Sequence, residues 1–278
     1  MNFFQALILG LIQGLTEFIP VSSSGHLVLA PWALRWPTPG LTFDTMVHWG
    51  TLTAIIVYFW RDWLRIIGGF FRSLTTRGPW QTGPGGRLAD QYSQLAWWLI
   101  IGSLPAAILG YALKDFFENL FGYPTAVSGF LLVTAAILAL SERLGRRARD
   151  MTGLRLSDAV LIGLAQAAAI APGLSRSGVT IAAGLGRGLT REAAARFSFL
   201  LATPAIFGAG LLQLVELVQA GDIAGQLPIL LTGFLTAAVA GYLCIRFLLA
   251  YLRRGKLYVF AAYCAVVGVL TLIASLVV

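Results

Sequence analysis

The chain has 278 residues, of which 58% are hydrophobic and only 12% are charged. Soluble globular proteins carry about 25% charged residues, so the composition excludes an ordinary soluble domain and favours a membrane protein. The net charge is +8, but no polar domain interleaves basic and aromatic residues, which excludes nucleic acid as a partner. Cys244 and Cys264 lie in apolar runs without metal-ligand spacing, so we interpret them as small core residues.

Apolar runs of about 20 residues, long enough for a helix to span a bilayer, recur along the chain. Six of them predict transmembrane helices, at about 42–60, 94–112, 124–142, 193–216, 228–250 and 257–277. Two further runs, 3–34 and 158–187, are interrupted by polar and helix-breaking residues, around Pro20 to Gly25 and around Pro172 to Gly178. Each arm is too short to span, because ten helical residues rise about 15 Å. They therefore predict re-entrant helix-break-helix hairpins in an all-α polytopic membrane protein with one integral membrane domain, 1–278.

The arginines indicate how these helices are oriented. Arginine-rich loops follow the first, third and fifth predicted spans and precede the fourth. All of them fall on one side of the membrane if both interrupted segments are re-entrant. The positive-inside rule then predicts that this side is cytoplasmic, so that residues 113–123, residues 217–227 and both termini face outward.

An internal repeat appears when the chain is shifted by 153 residues. The aligned pairs include Gly10 and Gly163, Gln13 and Gln166, Ser22 and Ser175, Ser24 and Ser177, and Gly25 and Gly178. The repeats cover about 1–150 and 151–278. Each contains one hairpin and three spans. Because three is odd, the second repeat begins on the opposite side of the membrane from the first and is inverted. The prediction is a 3+3 inverted-topology repeat whose two breaks meet near the membrane midplane.

The first break places unusual polar groups in an apolar segment. Gln13 and Glu17 are four residues apart and share one face of a short helix. A carboxylate at membrane depth is costly unless it is paired, protonated or hydrated. Pro20 ends this helix, and one of the three following serines is a natural N-cap of the next. Gly25 allows the backbone to approach a ligand closely.

The second break, APGLSRSGVT, repeats the arrangement. Ser175 or Ser177 can cap the following helix, and Gly173 and Gly178 give the backbone freedom. Arg176 stands where the first break has a serine, and its planar fork suits phosphate oxygens. Two helix N-termini and one arginine predict a site for an anion, a phosphate or pyrophosphate.

Simpler interpretations exist for each of these residues. The serines can be ordinary caps, His26 a structural hydrogen-bonding residue, and Glu17 a structural partner of Arg176. The convergence of these groups from two distant segments favours a functional site. Asp44 and His48, one turn apart, can support this site or bind a metal, but the sequence favours a structural pair at a helix end.

The stretches QGLTEFIPVSSSGH and PGLSRSGVT resemble the two signature motifs of the undecaprenyl pyrophosphate phosphatase family of the bacitracin-resistance type. The length, the six spans and the duplication also agree with that family. The resemblance implies hydrolysis of a C55 prenyl pyrophosphate lipid to its monophosphate. This reaction recycles the lipid carrier of bacterial cell-wall synthesis and confers resistance to bacitracin. It also implies a place in the bacterial inner membrane, with the site open to the outer face.

The resemblance also implies the roles of individual residues. Its catalytic positions are Glu17, Ser23, His26 and Arg176. The candidate substrate-binding residues in and beside the two motifs are Gln13, Ser22, Ser24, Gly25, Gly173, Ser175, Ser177, Gly178 and Thr180. Gln13 occupies a position where the family has Glu or Gln, and as an amide it cannot act as a base. The nucleophile stays open between Ser23, His26 and an activated water.

The family is associated with a divalent cation, Mg²⁺ or Ca²⁺, for which Glu17 and the substrate phosphates are the expected ligands. Two other classes of function stay open. Inverted repeats with broken helices are common in transporters, so a transporter or flippase of an anionic prenyl lipid is the main alternative. A non-catalytic membrane assembly protein is the other. The sequence also leaves open a homodimer.

Overall fold

The computed structural model describes residues 1–75, 91–220 and 226–277, and the regular structure in these ranges is helical. The helices are α1 Phe3–Thr16, α2 Ser23–Leu34, α3 Leu41–Tyr58, α4 Trp60–Thr75, α5 Gln91–Ala112, α6 Lys114–Leu120, α7 Pro124–Leu144, α8 Leu156–Ala168, α9 Arg176–Gly186, α10 Arg191–Ala220, α11 Leu227–Leu252 and α12 Tyr258–Val277. A short 3₁₀ turn at Met151–Gly153 precedes α8.

Five of the described helices are long and apolar enough to cross a membrane: α5, α7, α10, α11 and α12. They confirm a polytopic helical membrane protein. The remaining predicted span, 42–60, corresponds to α3, which has 18 residues but does not belong to these five. Asp44, His48 and several threonines make α3 less apolar than the other long helices.

Helix α4 was not predicted, because its apolar residues alternate with arginines. Ile66 and Gly69 face the core, and a Cβ at Gly69 would lie 2.7 Å from the Ser93 amide nitrogen of α5. A stripe of large apolar side chains on another face is exposed, comprising Trp60, Leu64, Ile67, Phe71 and Leu74. Such a stripe is typical of a helix that contacts lipid at a membrane interface.

Both interrupted runs form two short helices around a break, as the sequence predicts. Helix α1 ends at Thr16 and α2 begins at Ser23, while α8 ends at Ala168 and α9 begins at Arg176. Both breaks begin about three residues earlier than predicted. Their re-entrant course through the membrane stays a prediction.

Two aligned glycines let each interrupted helix contact a long helix from the other half of the chain. Helix α1 packs against α11, and α8 packs against α5. A Cβ at Gly10 would lie 2.6 Å from the Gly233 carbonyl oxygen, and one at Gly163 would lie 2.2 Å from the Gly102 carbonyl oxygen. Backbone contact through small residues is a common way for membrane helices to associate. The matching contacts explain why Gly10 and Gly163 align in sequence.

Ion pairs hold together helix ends rich in arginine. Glu142, at the end of α7, accepts hydrogen bonds from the Arg191 guanidinium and from the Leu257 amide, the latter at 3.2 Å. Asp158, in the first turn of α8, pairs with Arg149 and with Arg187, whose Nε lies 2.7 Å away. Both carboxylates are buried, so their arginine partners offset the cost of removing them from water.

Replacing Gly163 with alanine should lower the free energy of unfolding by about 1–3 kcal/mol, because the added methyl group would force α8 away from α5. The measurement is thermal unfolding in detergent. Gly129→Ala is the matched control, since a Cβ at Gly129 meets nothing within 4 Å, and it should leave the unfolding temperature unchanged or slightly higher. Equal unfolding temperatures for both variants would contradict the proposed close contact.

Candidate active site

The two breaks lie against each other. The Ser177 hydroxyl donates a hydrogen bond to the Ile19 carbonyl oxygen at 3.3 Å. A Cβ at Gly25 would lie 3.2 Å from the Gly173 Cα. Residues about 150 positions apart in the chain are therefore in direct contact, as the sequence predicts for its two signature stretches.

Serine side chains cap the helix that follows each break. The Ser22 hydroxyl accepts a hydrogen bond from the Gly25 amide at 3.2 Å, and the Ser175 hydroxyl accepts one from the Gly178 amide at 3.1 Å. The structure thus selects Ser22 and Ser175 among the predicted caps. Ser22 has a φ of 72°, an uncommon conformation for a residue with a side chain. The first amides of α2 and α9 lack partners within their helices and favour an anion.

Glu17 is the centre of a buried polar network. One carboxylate oxygen, Oε1, accepts a hydrogen bond from Arg176 Nη2. The other, Oε2, accepts hydrogen bonds from the Ser23 hydroxyl and from Gln13 Nε2, the latter at 2.8 Å. Glu17 is only 5% exposed. The ion pair and the hydrogen bonds explain how a buried carboxylate is tolerated at this position.

Two polar atoms beside this network have no hydrogen-bond partner among the described residues. They are Arg176 Nη1, a donor, and Gln13 Oε1, an acceptor, and both are buried. Buried polar atoms are nearly always satisfied. A free donor and a free acceptor next to an ion pair therefore indicate a place for a polar ligand.

Gln13 Oε1 also bears on the expected divalent cation. Among the described residues, no group of three or more His, Cys, Asp or Glu side chains could hold a metal ion by itself. Carboxylate and amide oxygens are ligands that Mg²⁺ and Ca²⁺ accept. Glu17 and Gln13 therefore have oxygens suited to the expected cation.

His26 lies outside the Glu17 network. Its Nδ1 is 2.7 Å from the Ser22 carbonyl oxygen, and its Nε2 is 2.8 Å from the hydroxyl of Tyr263 in α12. The sequence did not identify Tyr263, because a tyrosine in an apolar span carries no motif that relates it to a residue 237 positions away.

The two remaining predicted substrate-binding hydroxyls, those of Thr180 and Ser24, also have structural partners. The Thr180 hydroxyl donates to the Arg176 carbonyl oxygen at 2.7 Å and lies 2.6 Å from the Ser198 hydroxyl, so it connects α9 to α10. The Ser24 hydroxyl lies 3.4 Å from that of Ser22, beside the cap of α2. The structure thus places Ser24 in the first turn of α2 and Thr180 one turn into α9.

His48 is closer to the site than the sequence suggested. Its Nε2 lies 3.9 Å from Glu17 Oε2. Its Nδ1 is 2.7 Å from the backbone carbonyl oxygen of Asp44, not from the Asp44 carboxylate. The interpretation as a structural pair at a helix end is therefore incomplete, because His48 also faces the carboxylate at the centre of the network.

Thr134 in α7 fixes the second break and was missed by the sequence analysis. Its hydroxyl accepts a hydrogen bond from the Ser175 amide at 3.0 Å and lies 3.1 Å from the Gly173 carbonyl oxygen. Gly173 has a φ of 93°, and a Cβ there would lie 2.2 Å from the Val127 carbonyl oxygen. Only glycine fits this close approach to α7. The site therefore depends on α7 as well as on the two breaks.

The fold and the site define a polytopic helical membrane protein with a buried, charged site where two interrupted helices meet. The model of the family described as "Bacitracin resistance protein BacA" matches residues 6–270, and the chain belongs to this family.

Several curated relatives carry the name undecaprenyl-diphosphatase. The relative from Thermomicrobium roseum is 45% identical over 280 residues, which cover 98% of each chain. The relative from Desulforudis audaxviator is 42% identical and covers 99% of each chain. The relative from Rubrobacter xylanophilus is 45% identical over 95% of this chain and 94% of its own. The family predicted from the two motifs is confirmed.

Proposed function

We propose that this protein is a membrane-embedded undecaprenyl-diphosphatase. It hydrolyses undecaprenyl pyrophosphate to undecaprenyl phosphate and inorganic phosphate, consuming one water. The observation that carries this proposal is the Glu17–Arg176 pair between two meeting helix N-termini, with Arg176 Nη1 free to bind an anion. The relatives' shared hydrolase name supports an enzyme over a lipid transporter.

Arg176 and the first amides of α2 and α9 bind the terminal phosphate. Arg176 Nη1 donates to a phosphate oxygen while Nη2 stays paired with Glu17, and the helix ends favour the negative charge of the phosphate. Arg176 has only 18% of its side chain exposed and is held by Glu17 before the substrate enters. Arg176 and the helix ends can therefore stabilise the charge that spreads over the phosphoryl oxygens in the transition state. The prenyl tail stays in the bilayer.

Ser23 is placed to act as the nucleophile. Its hydroxyl donates to Glu17 Oε2, which is the relation between a nucleophile and its base. Ser23 Oγ attacks the terminal phosphorus, its proton passes to Glu17, and undecaprenyl phosphate leaves. Water then attacks the phosphoserine, and the bond between phosphorus and Ser23 Oγ breaks. The proton of this water passes to His26 Nε2 by way of the Tyr263 hydroxyl, which occupies the lone pair of this nitrogen. Glu17 returns its proton to Ser23 Oγ, and His26 loses its proton to solvent as inorganic phosphate is released.

A bound Mg²⁺ or Ca²⁺ would neutralise part of the charge on the pyrophosphate, which makes phosphorus more open to attack. Glu17 and Gln13 are the residues that would hold it, since Gln13 Oε1 is a buried acceptor without a partner among the described residues.

The membrane arrangement that agrees with this function has six spans, with α3 as the first, and two re-entrant hairpins, α1–α2 and α8–α9. The repeats at about 1–150 and 151–278 then have inverted topology. The arginine-rich ends face the cytoplasm of a bacterial inner membrane, and the site opens outward, where the pyrophosphate is left after a cell-wall precursor is transferred. The predicted outer loop 217–227 lies partly outside the described residues.

Replacing Arg176 with alanine should lower phosphate release from a long-chain prenyl pyrophosphate by about 100-fold or more, because a preorganised donor to the phosphoryl oxygens is lost. The assay measures inorganic phosphate in detergent. Arg176→Lys should recover only part of the rate, since lysine keeps the charge but lacks the fork.

Arg253→Ala is the control for this test, because Arg253 is exposed and pairs with Glu192 at 3.2 Å, away from the two breaks. It should keep a near-normal rate. A near-normal rate for Arg176→Ala would contradict the proposed site.

Replacing Ser23 with alanine should abolish turnover, and acid quenching of the unaltered protein during turnover should trap a phosphoryl group on Ser23, detectable by mass spectrometry. Ser103→Ala removes a hydroxyl that bonds within α5, to the Leu99 carbonyl oxygen at 2.7 Å, and should leave activity intact. Full activity of Ser23→Ala would exclude serine as the nucleophile and favour direct attack by water or by His26.

Replacing Gln13 with leucine should raise the Mg²⁺ concentration needed for half-maximal activity by roughly tenfold, because an oxygen ligand is lost. Gln13→Glu should lower that concentration. Gln166→Leu is the matched control: Gln166 is the repeat counterpart of Gln13, but it makes none of the hydrogen bonds that Glu17 accepts. An apolar isostere there should not change the Mg²⁺ dependence. Equal Mg²⁺ dependence of all these variants would exclude Gln13 as a ligand.

A further inference from the structure

The hydrogen bonds of His26 fix which of its nitrogens carries the proton. Nδ1 lies 2.7 Å from the Ser22 carbonyl oxygen. A carbonyl can only accept, so Nδ1 must be the protonated nitrogen. In the neutral ring, Nε2 then has a lone pair and accepts a hydrogen bond from the Tyr263 hydroxyl at 2.8 Å. The imidazole is thus held in the tautomer whose Nε2 can take up a proton.

The ring of Tyr263 also sets the orientation of the imidazole. The two rings are stacked, with their centroids 5.6 Å apart and their planes inclined by 12°. Stacking restricts rotation of the imidazole, while the hydrogen bond restricts its position in the plane. Together with the bond to Ser22, three contacts define one arrangement of His26.

Helix α12 is itself anchored to the first break and to α7. Cys264, the residue after Tyr263, directs its thiol toward the Pro20 carbonyl oxygen at 3.7 Å. One turn further on, a Cβ at Gly268 would lie 2.8 Å from Leu132 of α7. The backbone that carries Tyr263 is therefore fixed relative to the break that carries His26.

We propose that Tyr263 positions His26 for the hydrolysis and passes to it the proton of the attacking water. This inference rests on the proposed role of His26 as the acceptor of the proton from the attacking water. A phenol hydroxyl both donates and accepts. It can therefore pass its own proton to Nε2 while it takes up one from the water, and it accepts a hydrogen bond from Nε2 once that nitrogen is protonated. Tyr263 satisfies His26 in both charge states while the ring keeps its orientation.

Replacing Tyr263 with phenylalanine tests this role, because it removes the hydroxyl and keeps the stacked ring. The turnover number kcat for a long-chain prenyl pyrophosphate should fall roughly 10- to 100-fold, as expected for a misplaced catalytic group. KM should change less than about twofold, because the phosphate-binding groups are untouched. Tyr258→Phe removes a hydroxyl from the same helix and should behave like the unaltered protein. An unchanged kcat in Tyr263→Phe would overturn the inference.

A double-mutant cycle with His26→Ala separates a positioning role from a purely structural one. If Tyr263 acts through His26, then Tyr263→Phe should cause no further loss in the His26→Ala protein. If it causes the same fold loss with and without His26, Tyr263 acts independently and the inference is wrong. Thermal unfolding of each variant in detergent identifies any loss of activity caused by misfolding. If Tyr263→Phe unfolds at a temperature well below that of Tyr258→Phe, Tyr263 has a structural role and the inference is wrong.

Failure of the inference and failure of the proposed function give different results in these experiments. Full activity of His26→Ala would remove the proposed role of His26 and, with it, the basis for Tyr263. A strong loss in His26→Ala with normal activity in Tyr263→Phe would overturn only the role of Tyr263.

Discussion

The ion pair between Glu17 and Arg176 is the interaction on which the site depends. Either charge alone would be costly in a buried, apolar environment, and each makes the other tolerable. The two residues are 159 positions apart, so the pair can form only if both breaks reach the same place. Losing either partner would leave a buried charge without compensation. The pair therefore links the chemistry of the site to the meeting of the two halves of the chain.

Breaking two helices inside such a protein leaves backbone groups without helical partners, and the surrounding helices satisfy them. Ser22 and Ser175 cap the helices that follow. Thr134 holds the second break from α7, and Cys264 approaches a free carbonyl of the first break from α12. The cysteine that the sequence suggested to be a small core residue thus also contributes a weak donor. Irregular backbone inside a helical membrane protein is tolerated where its polar groups find such neighbours.

The same arrangement gives a chemical advantage for hydrolysis of a pyrophosphate lipid. Arg176 is already largely shielded from solvent and oriented by Glu17, so little reorganisation is needed when a phosphate replaces part of this pairing. Ser23 shares Glu17 with Arg176, which places the proposed nucleophile beside the group that binds the phosphate. His26 stands apart, held by Ser22 and Tyr263, which agrees with a role in a separate proton transfer.

The sequence by itself determined the helical membrane character and both helix breaks, because these depend on local composition, spacing and an internal alignment. It left the caps open among several serines and offered the Glu17–Arg176 pair only as a structural alternative, and the tertiary structure decided both. The sequence did not predict α4, whose apolar residues alternate with arginines. It also assigned His48 to a structural pair with Asp44 rather than to the site. Nothing in the sequence indicated the roles of Thr134 and Tyr263 at the site. Their roles arise from helices that pack against the breaks from distant parts of the chain, and a single threonine or tyrosine in an apolar span looks the same whether or not it faces a site. Only the tertiary structure decides this, since the rotation and depth of each helix set which side chain meets the break.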